Sequence, residues 1–210
     1  MSPTYSEEPS DKTKFTAQFD DAYTQFAGIY DLAVKALPVW KTWIKHALPY
    51  IQGPRVLEVS FGTGYLLTRY AGQFETYGVD YNRCMAATAR QNLKKSGHEA
   101  QLQVADVAAL PYPDQLFDSL VNTMSFTGYP DGLKAMSELW RVLKPGGRLI
   151  LIDINYPANQ NRLGTALARL FASLGDIIRD MAALFGALDI PYQDHEIGGF
   201  GCVHLYIAEK

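Results

Sequence analysis

The sequence predicts an α/β domain with a mostly parallel sheet and helices on both faces. Three observations carry that prediction. Between residues 55 and 153, short apolar runs alternate with longer helical patterns. The first run leads into a glycine turn, Gly62-Thr63-Gly64. The chain ends in two strand-like runs joined by Gly198-Gly199-Phe200-Gly201. Strand–helix alternation implies right-handed crossovers and parallel pairing. Strands joined by a short turn oppose each other, so one of the last pair runs antiparallel to the rest.

Each element has its own signal. Residues 1–12 are polar and rich in Ser, Glu and Pro, and predict a flexible tail. Phe15, Phe19, Tyr23, Phe26, Ile29, Tyr30 and Leu32 fall at helical spacing and predict one or two short helices. Residues 39–50 predict another, with Trp40, Trp43, Ile44 and Leu48 on one side, and Gln52-Gly53-Pro54 breaks it. Strands are predicted at 55–60, 76–79, 101–104, 117–123 and 148–153, from their short apolar runs. Between them, helices are predicted from Gly64 to about Tyr70, near 83–95, and from about Gly132 to Leu143, where Lys144-Pro145-Gly146-Gly147 stops the last. Residues 159–187 read as helical with a break at Gly175-Asp176, and 192–197 and 202–209 as the closing strands.

Composition sets the outer bounds. A chain of 210 residues, 48% hydrophobic and 20% charged, suits one folded domain. A net charge of −3 lacks the basic excess of a nucleic-acid binder, so no nucleic-acid partner is expected. Two cysteines, Cys84 and Cys202, make neither a disulfide framework nor a four-cysteine zinc site, and no metal is expected. The polar N-terminus has no apolar core of the secretory type, and no run approaches the ~18 apolar residues of a membrane span. The expectation is a cytoplasmic protein.

The segment Val56-Leu57-Glu58-Val59-Ser60-Phe61-Gly62-Thr63-Gly64 is a buried strand entering a turn whose glycines permit positive φ and close approach of a ligand. The helix behind it offers free N–H groups. A tight turn with no ligand is the plainer reading of this loop alone. A dinucleotide fingerprint would place a third glycine where Leu67 stands. Asp80 ends the second strand, where a carboxylate accepts from two ribose hydroxyls; the alternative is a solvated turn aspartate. Asp106 follows the third strand, placed to accept from an adenine amino group while the N–H of Val107 donates to a ring nitrogen, or simply to cap a turn.

Taken in order, VLEVSFGTGYLL, YGVDYN, ADVAALPYPDQLFDSLVN and LWRVLKPGGRLILID resemble the class I S-adenosylmethionine (SAM)-dependent methyltransferases, in the group of quinone-ring C-methyltransferases and bacterial phospholipid N-methyltransferases. The resemblance covers about residues 19–210. It departs at Ser60, which stands where the family's first loop glycine usually is. It implies a Rossmann-like seven-stranded sheet of order 3-2-1-4-5-7-6 with strand seven antiparallel. It implies one methyltransferase domain over 13–210, with an N-terminal helical lid at 13–50. By the same resemblance Glu58, Ser60, Gly62 and Gly64 form the methionine-side loop, Asp80 holds the ribose and Tyr81 lies against the adenine. Asp106 and Val107 bind the adenine edge, and Asn122 offers its backbone carbonyl to the methionyl ammonium. The implied function is methyl transfer from SAM to a small hydrophobic or lipid-like acceptor. A SAM-binding regulatory module without turnover is the alternative, motivated by Ser60 and by the lack of an obvious base.

An acceptor must reach the cofactor above the carboxyl ends of the fourth and fifth strands. Ser125, Phe126 and Tyr129 follow the fourth, and Asn155 and Tyr156 the fifth. The lid adds Tyr23, Phe26 and Tyr30. Each aromatic has core packing as its plainer reading. Tyr30, Tyr156, His195 and His204 are the candidates for a catalytic role, the histidines because imidazole titrates near neutrality. Residues 162–179 place Leu163, Leu167, Leu170, Phe171 and Leu174 at helical spacing with Arg162, Arg169 and Arg179 between. This is either a packing helix or a basic amphipathic surface that touches a membrane.

Overall fold

A computed structural model describes residues 4–18, 20–21 and 38–210. Its seven strands are β1 (Arg55–Val59), β2 (Glu75–Asp80), β3 (Gln101–Val104), β4 (Phe117–Thr123), β5 (Leu143–Ile154), β6 (Tyr192–Gly198) and β7 (Val203–Glu209). They form one sheet of order β3-β2-β1-β4-β5-β7-β6. The pairs from β3 to β5 are parallel, and β7 is antiparallel to both neighbours. This is the implied topology, and the closing hairpin supplies its antiparallel strand.

The named helices are α1 (Pro38–Lys45), α2 (Leu67–Tyr70), α3 (Arg83–Ser96), α4 (Gly132–Val142), α5 (Arg162–Ser173) and α6 (Met181–Gly186). Residues 12–18 are helical as well. Asn82, Asp131, Asn161 and Asp180 cap α3 to α6 by accepting a backbone N–H two or three residues into the helix. Gly97 ends α3 in the left-handed conformation.

Alternation along the strands explains the apolar runs. Leu57, Leu120, Leu149 and Leu151 pack on one face with Met136 and Leu139 of α4 and Phe185 of α6. Val56, Val121, Ile150 and Ile152 pack on the other with Ala86 and Leu93 of α3 and Ala168 of α5. Both faces are covered, so neither parity of strand position is polar.

Four boundaries differ from the sequence expectation. The turn after β1 keeps Gly62 and Gly64 at positive φ, which delays α2 to Leu67. β5 starts at Leu143, because the Lys144–Gly147 stretch is tied to the C-terminus by Lys210 N–H donating to the Gly147 carbonyl at 3.0 Å. Residues 174–180 form a loop between α5 and α6, longer than the break expected at Gly175-Asp176. Residues 4–12, expected within a flexible tail, are docked. Ser6 exchanges hydrogen bonds with Ile178, Glu8 accepts from the Gly132 N–H at 2.9 Å, and the Tyr5 ring meets Tyr156 edge-on.

Candidate cofactor and acceptor site

Parallel strands end together at one edge of the sheet, and the loops beyond them enclose the principal pocket. Glu58, Ser60 and Gly62 come from the β1 loop, Asp80 and Tyr81 from the end of β2, and Asp106 and Val107 from the turn after β3. Ser125 and Tyr129 come from beyond β4. Two stretches from before the sheet complete the wall: Thr16 and Asp20, then Trp40 and Ile44, one helical turn apart on α1.

Asp80 organises the end of the pocket formed by β1 and β2. Its carboxylate is buried and accepts the N–H of Gly62 at 2.8 Å and that of Asn82 at 2.8 Å. Burial pushes its pKa up to about 6, against the pull of the two N–H donors. A Cβ added at Gly62 would meet nothing within 4 Å, so that glycine faces open space, at φ +54°. Gly64 serves packing: its Cβ would lie 2.9 Å from that of Ala89 on α3. Glu58 turns its carboxyl to the Tyr70 hydroxyl, 2.8 Å away, and burial raises its pKa to about 8.

Ser60 takes the glycine-like backbone itself, at φ +55°. Its hydroxyl lies 2.7 Å from that of Tyr129, which also accepts from Asn122 Nδ2 at 2.7 Å. Asn122 is fully buried beneath the wall. Its Nδ2, with two hydrogens, lies within reach of three oxygens, the Val59 carbonyl and the Ser125 and Tyr129 hydroxyls, and its Oδ1 has no hydrogen-bond partner among the described residues. Its neighbours Thr123 and Met124 stand in the wall instead. Asp106 is exposed and caps a short turn through the Ala108 N–H at 2.8 Å. Tyr81 is half exposed at the rim.

Several acceptor-side and catalytic candidates lie elsewhere. Phe126 faces the core under the loop, since the adjoining turn directs Thr127 and Gly128 to the pocket. Asn155 donates to the Tyr206 hydroxyl, and the Tyr156 hydroxyl to Thr4 O, so both follow β5 away from the pocket. His195 is exposed on β6. His204 is buried on β7 between Asp194 and the Tyr156 carbonyl, stacked on Tyr206. Neither histidine borders the pocket, because the hairpin packs at the far edge of the sheet. Tyr23, Phe26 and Tyr30 lie outside the described residues.

Several wall residues carry no site signal in the sequence, Thr16, Asp20, Thr127, Asp131 and Asp176 among them. Asp176, beyond α5, faces the pocket with Thr127. A lone aspartate in a break between helices has no local signal; only the tertiary fold brings it to β4. Among the described residues, the wall carries six acids and no Lys, Arg or His. No group of three or more potential metal ligands occurs among them either.

These features define a nucleotide-cofactor domain whose acidic chamber opens at the carboxyl ends of a parallel sheet. Residues 57–151 match the family model of the methyltransferase domain. Over 90% of this chain and 87% of its relative, the sequence is 30% identical to the ubiquinone/menaquinone biosynthesis C-methyltransferase of Geobacter sulfurreducens. The chain belongs to the class I SAM-dependent methyltransferases. It is 39% identical to a demethylmenaquinone methyltransferase of Thermus thermophilus over 49% of this chain, spanning about half (48%) of that relative's length. A SAM-dependent methyltransferase structure from Thermotoga maritima superposes with a TM-score of 0.70 at 17% identity, covering 90% of this chain and 98% of that one.

The pocket suits SAM, a cation, on this structure's own terms. Apart from Glu58, which burial keeps neutral near pH 7, and Asp131, which pairs with Lys12, its acids face no cationic wall residue among the described ones, and Gly62 leaves an open cradle beside Asp80.

Proposed function

We propose that the chain transfers the methyl group of SAM to a small, hydrophobic, uncharged acceptor of the quinol type. The carrying observation is the acidic wall with no basic side chain among the described residues. Such a wall accommodates the cofactor's positive charge and repels an acceptor that brings a phosphate or carboxylate to the reacting end. A phospholipid headgroup is therefore the weaker candidate. The quinone-ring methyltransferases named above support the same class.

When bound, SAM supplies an electrophilic methyl carbon on a sulfonium. The chain's task is to position the acceptor and exclude water. Asp80 would take the ribose hydroxyls on its remaining lone pairs, Asp106 and Val107 the adenine edge, and the Ser60–Gly62 loop the methionine end. Trp40, Ile44 and Tyr129 would wall the acceptor. A SAM-consumption screen over quinols, phenols, amines, thiols and phospholipids tests the reading. Turnover with a short-chain prenyl-1,4-naphthoquinol is expected. SAM binding without turnover on any acceptor would favour the regulatory module instead.

We infer a peripheral membrane contact through α5. Leu163, Leu170 and Leu174 are exposed along one stripe, with Phe200 exposed close by and Arg162 and Arg169 on its flank. Arg179, from the same sequence stretch, is buried and takes no part. No helix among the described residues is long and apolar enough to cross a membrane. Cosedimentation with phosphatidylglycerol vesicles, lost on Leu170→Glu, is the expected result.

A further inference from the structure

Beyond β4 a single threonine hydroxyl stands between two carboxyl groups. Thr127 Oγ1 lies 2.7 Å from Asp176 Oδ1 and 3.1 Å from Asp153 Oδ1. A threonine hydroxyl has one hydrogen, so it donates to one of these oxygens only. The other contact is a hydrogen bond only if that carboxyl group carries a proton. Asp153 is fully enclosed on β5 and already accepts the Thr127 N–H at 3.1 Å and the Ile154 N–H at 2.7 Å. Asp176 is partly exposed and borders the pocket, and its carboxyl group has Thr127 Oγ1 as its one hydrogen-bond partner among the described residues. The other acids of the acceptor side are engaged. Asp20 accepts from Asn82 Nδ2 at 2.8 Å, and Asp131 pairs with Lys12 at 2.7 Å while capping α4.

Resting on the methyltransferase reading, we propose that Asp176 is the proton acceptor of the reaction and that Thr127 and Asp153 position it. Replacing an acceptor hydrogen by methyl releases one proton. The pair of the breaking C–S bond stays on sulfur, the acceptor's pair forms the new bond to carbon, and the displaced hydrogen ends as a proton on the Asp176 carboxylate. The Thr127 hydroxyl points at the nearer oxygen, that of Asp176, and keeps that carboxylate ionised and facing the pocket, while Asp153 holds the Thr127 N–H and with it the loop. Burial raises the pKa of both acids, Asp153 to about 6. Arg179, next along the same loop, feels Asp153 and is itself paired with Glu8 of the docked N-terminal segment and influenced by Asp131 before α4; from β7, Tyr206 feels Asp153, and His204 is its cross-strand neighbour.

The test uses the full chain. Asp176→Asn should retain SAM affinity within about threefold by calorimetry and lose about 10²- to 10⁴-fold in kcat with a prenyl-1,4-naphthoquinol. The acidic limb of the wild-type kcat/KM profile should disappear with it. Thr127→Val should shift that limb, and Thr127→Ser should restore it. Independently of turnover, carboxyl carbon NMR of the cofactor-free protein should show the two aspartates titrating together, and separately in Thr127→Val. An Asp176→Asn variant that keeps wild-type turnover and pH profile overturns the proposal. Two aspartates that titrate independently in the wild type overturn it too, whether or not the naphthoquinol is a substrate. Wild-type inactivity on every acceptor, with the joint titration intact, would instead count against the functional reading.

Discussion

The two halves of the pocket are built differently. The half proposed for the cofactor comes from the ends of β1, β2 and β3, each followed at once by its turn, and its contacts are short-range: Gly62 to Asp80 between neighbouring loops, Asp106 to Ala108 within one turn. The acceptor half is gathered from Thr16, Asp20, α1, the loop beyond β4 and Asp176, segments spread over most of the chain. A site made of strand ends is fixed by the sheet's topology. One made of remote segments is fixed by every contact that docks them. The first half should therefore resist changes that dismantle the second.

Removal of residues 1–36 is the largest test of that contrast. It deletes Thr16 and Asp20 from the wall, and Glu8 and Lys12 from their contacts with Arg179 and Asp131. Turnover should be abolished, while circular dichroism still reports a folded sheet and calorimetry finds weakened SAM binding. Full activity would show that the segment is ordinary packing. Asp80→Ala attacks the other half. It should weaken SAM by roughly 2–3 kcal/mol, about 30- to 150-fold, because charge-assisted contacts are lost. Unchanged affinity would place the ribose elsewhere.

Glu58 sharpens the contrast through pH. Its folded pKa of about 8 lies above the ordinary 4.5, because burial disfavours the charge. Its stabilising contribution is thus complete below pH 4.5 and is lost as pH rises through 8. Asp80, at about 6 against 3.8, adds the same slope at lower pH. In thermal melts of the cofactor-free protein, Glu58→Gln should match the wild type near pH 4 and melt higher at pH 9. An equal decline in both would remove Glu58 as the cause.

The smallest expected effects are at Ser60. Ser60→Gly relieves about 1 kcal/mol of left-handed backbone strain and gives up a hydroxyl contact to Tyr129 of similar worth. Its melting temperature should change little. Ser60→Ala keeps the strain and loses the contact, and should be destabilised by about 1 kcal/mol. Equal melts for the two variants would show that the hydroxyl pair contributes nothing.

The same contrast governs what the sequence made legible. Glycine turns, strand-terminal acids and alternating apolar runs are local signals, so the strand order and the wall positions of Asp80, Asp106 and Ser60 could be reached from spacing and resemblance. Even there a detail is hidden: nothing in the sequence marks Ser60 as keeping the left-handed backbone, φ +55°, that a glycine would take. His204 and Tyr156 carry suitable chemistry in sequence but are turned into the packing around β7. Asp176 has no periodic or motif neighbour, and its role is visible only once Thr127 stands beside it.

Arg179 joins the ends of the chain. Its buried guanidinium donates to the carbonyls of Phe126, at 3.1 Å, and Tyr129, and reaches Glu8, 171 positions earlier, at 3.4 Å. During vectorial synthesis, β1 to β5 emerge and find one another before residue 179 leaves the ribosome. The loop beyond β4 must wait for that arginine, which must in turn find Glu8, 171 positions earlier in the chain. Closing so long a stretch of chain is the entropically slow step. In time-resolved refolding, cofactor binding should therefore return before turnover does.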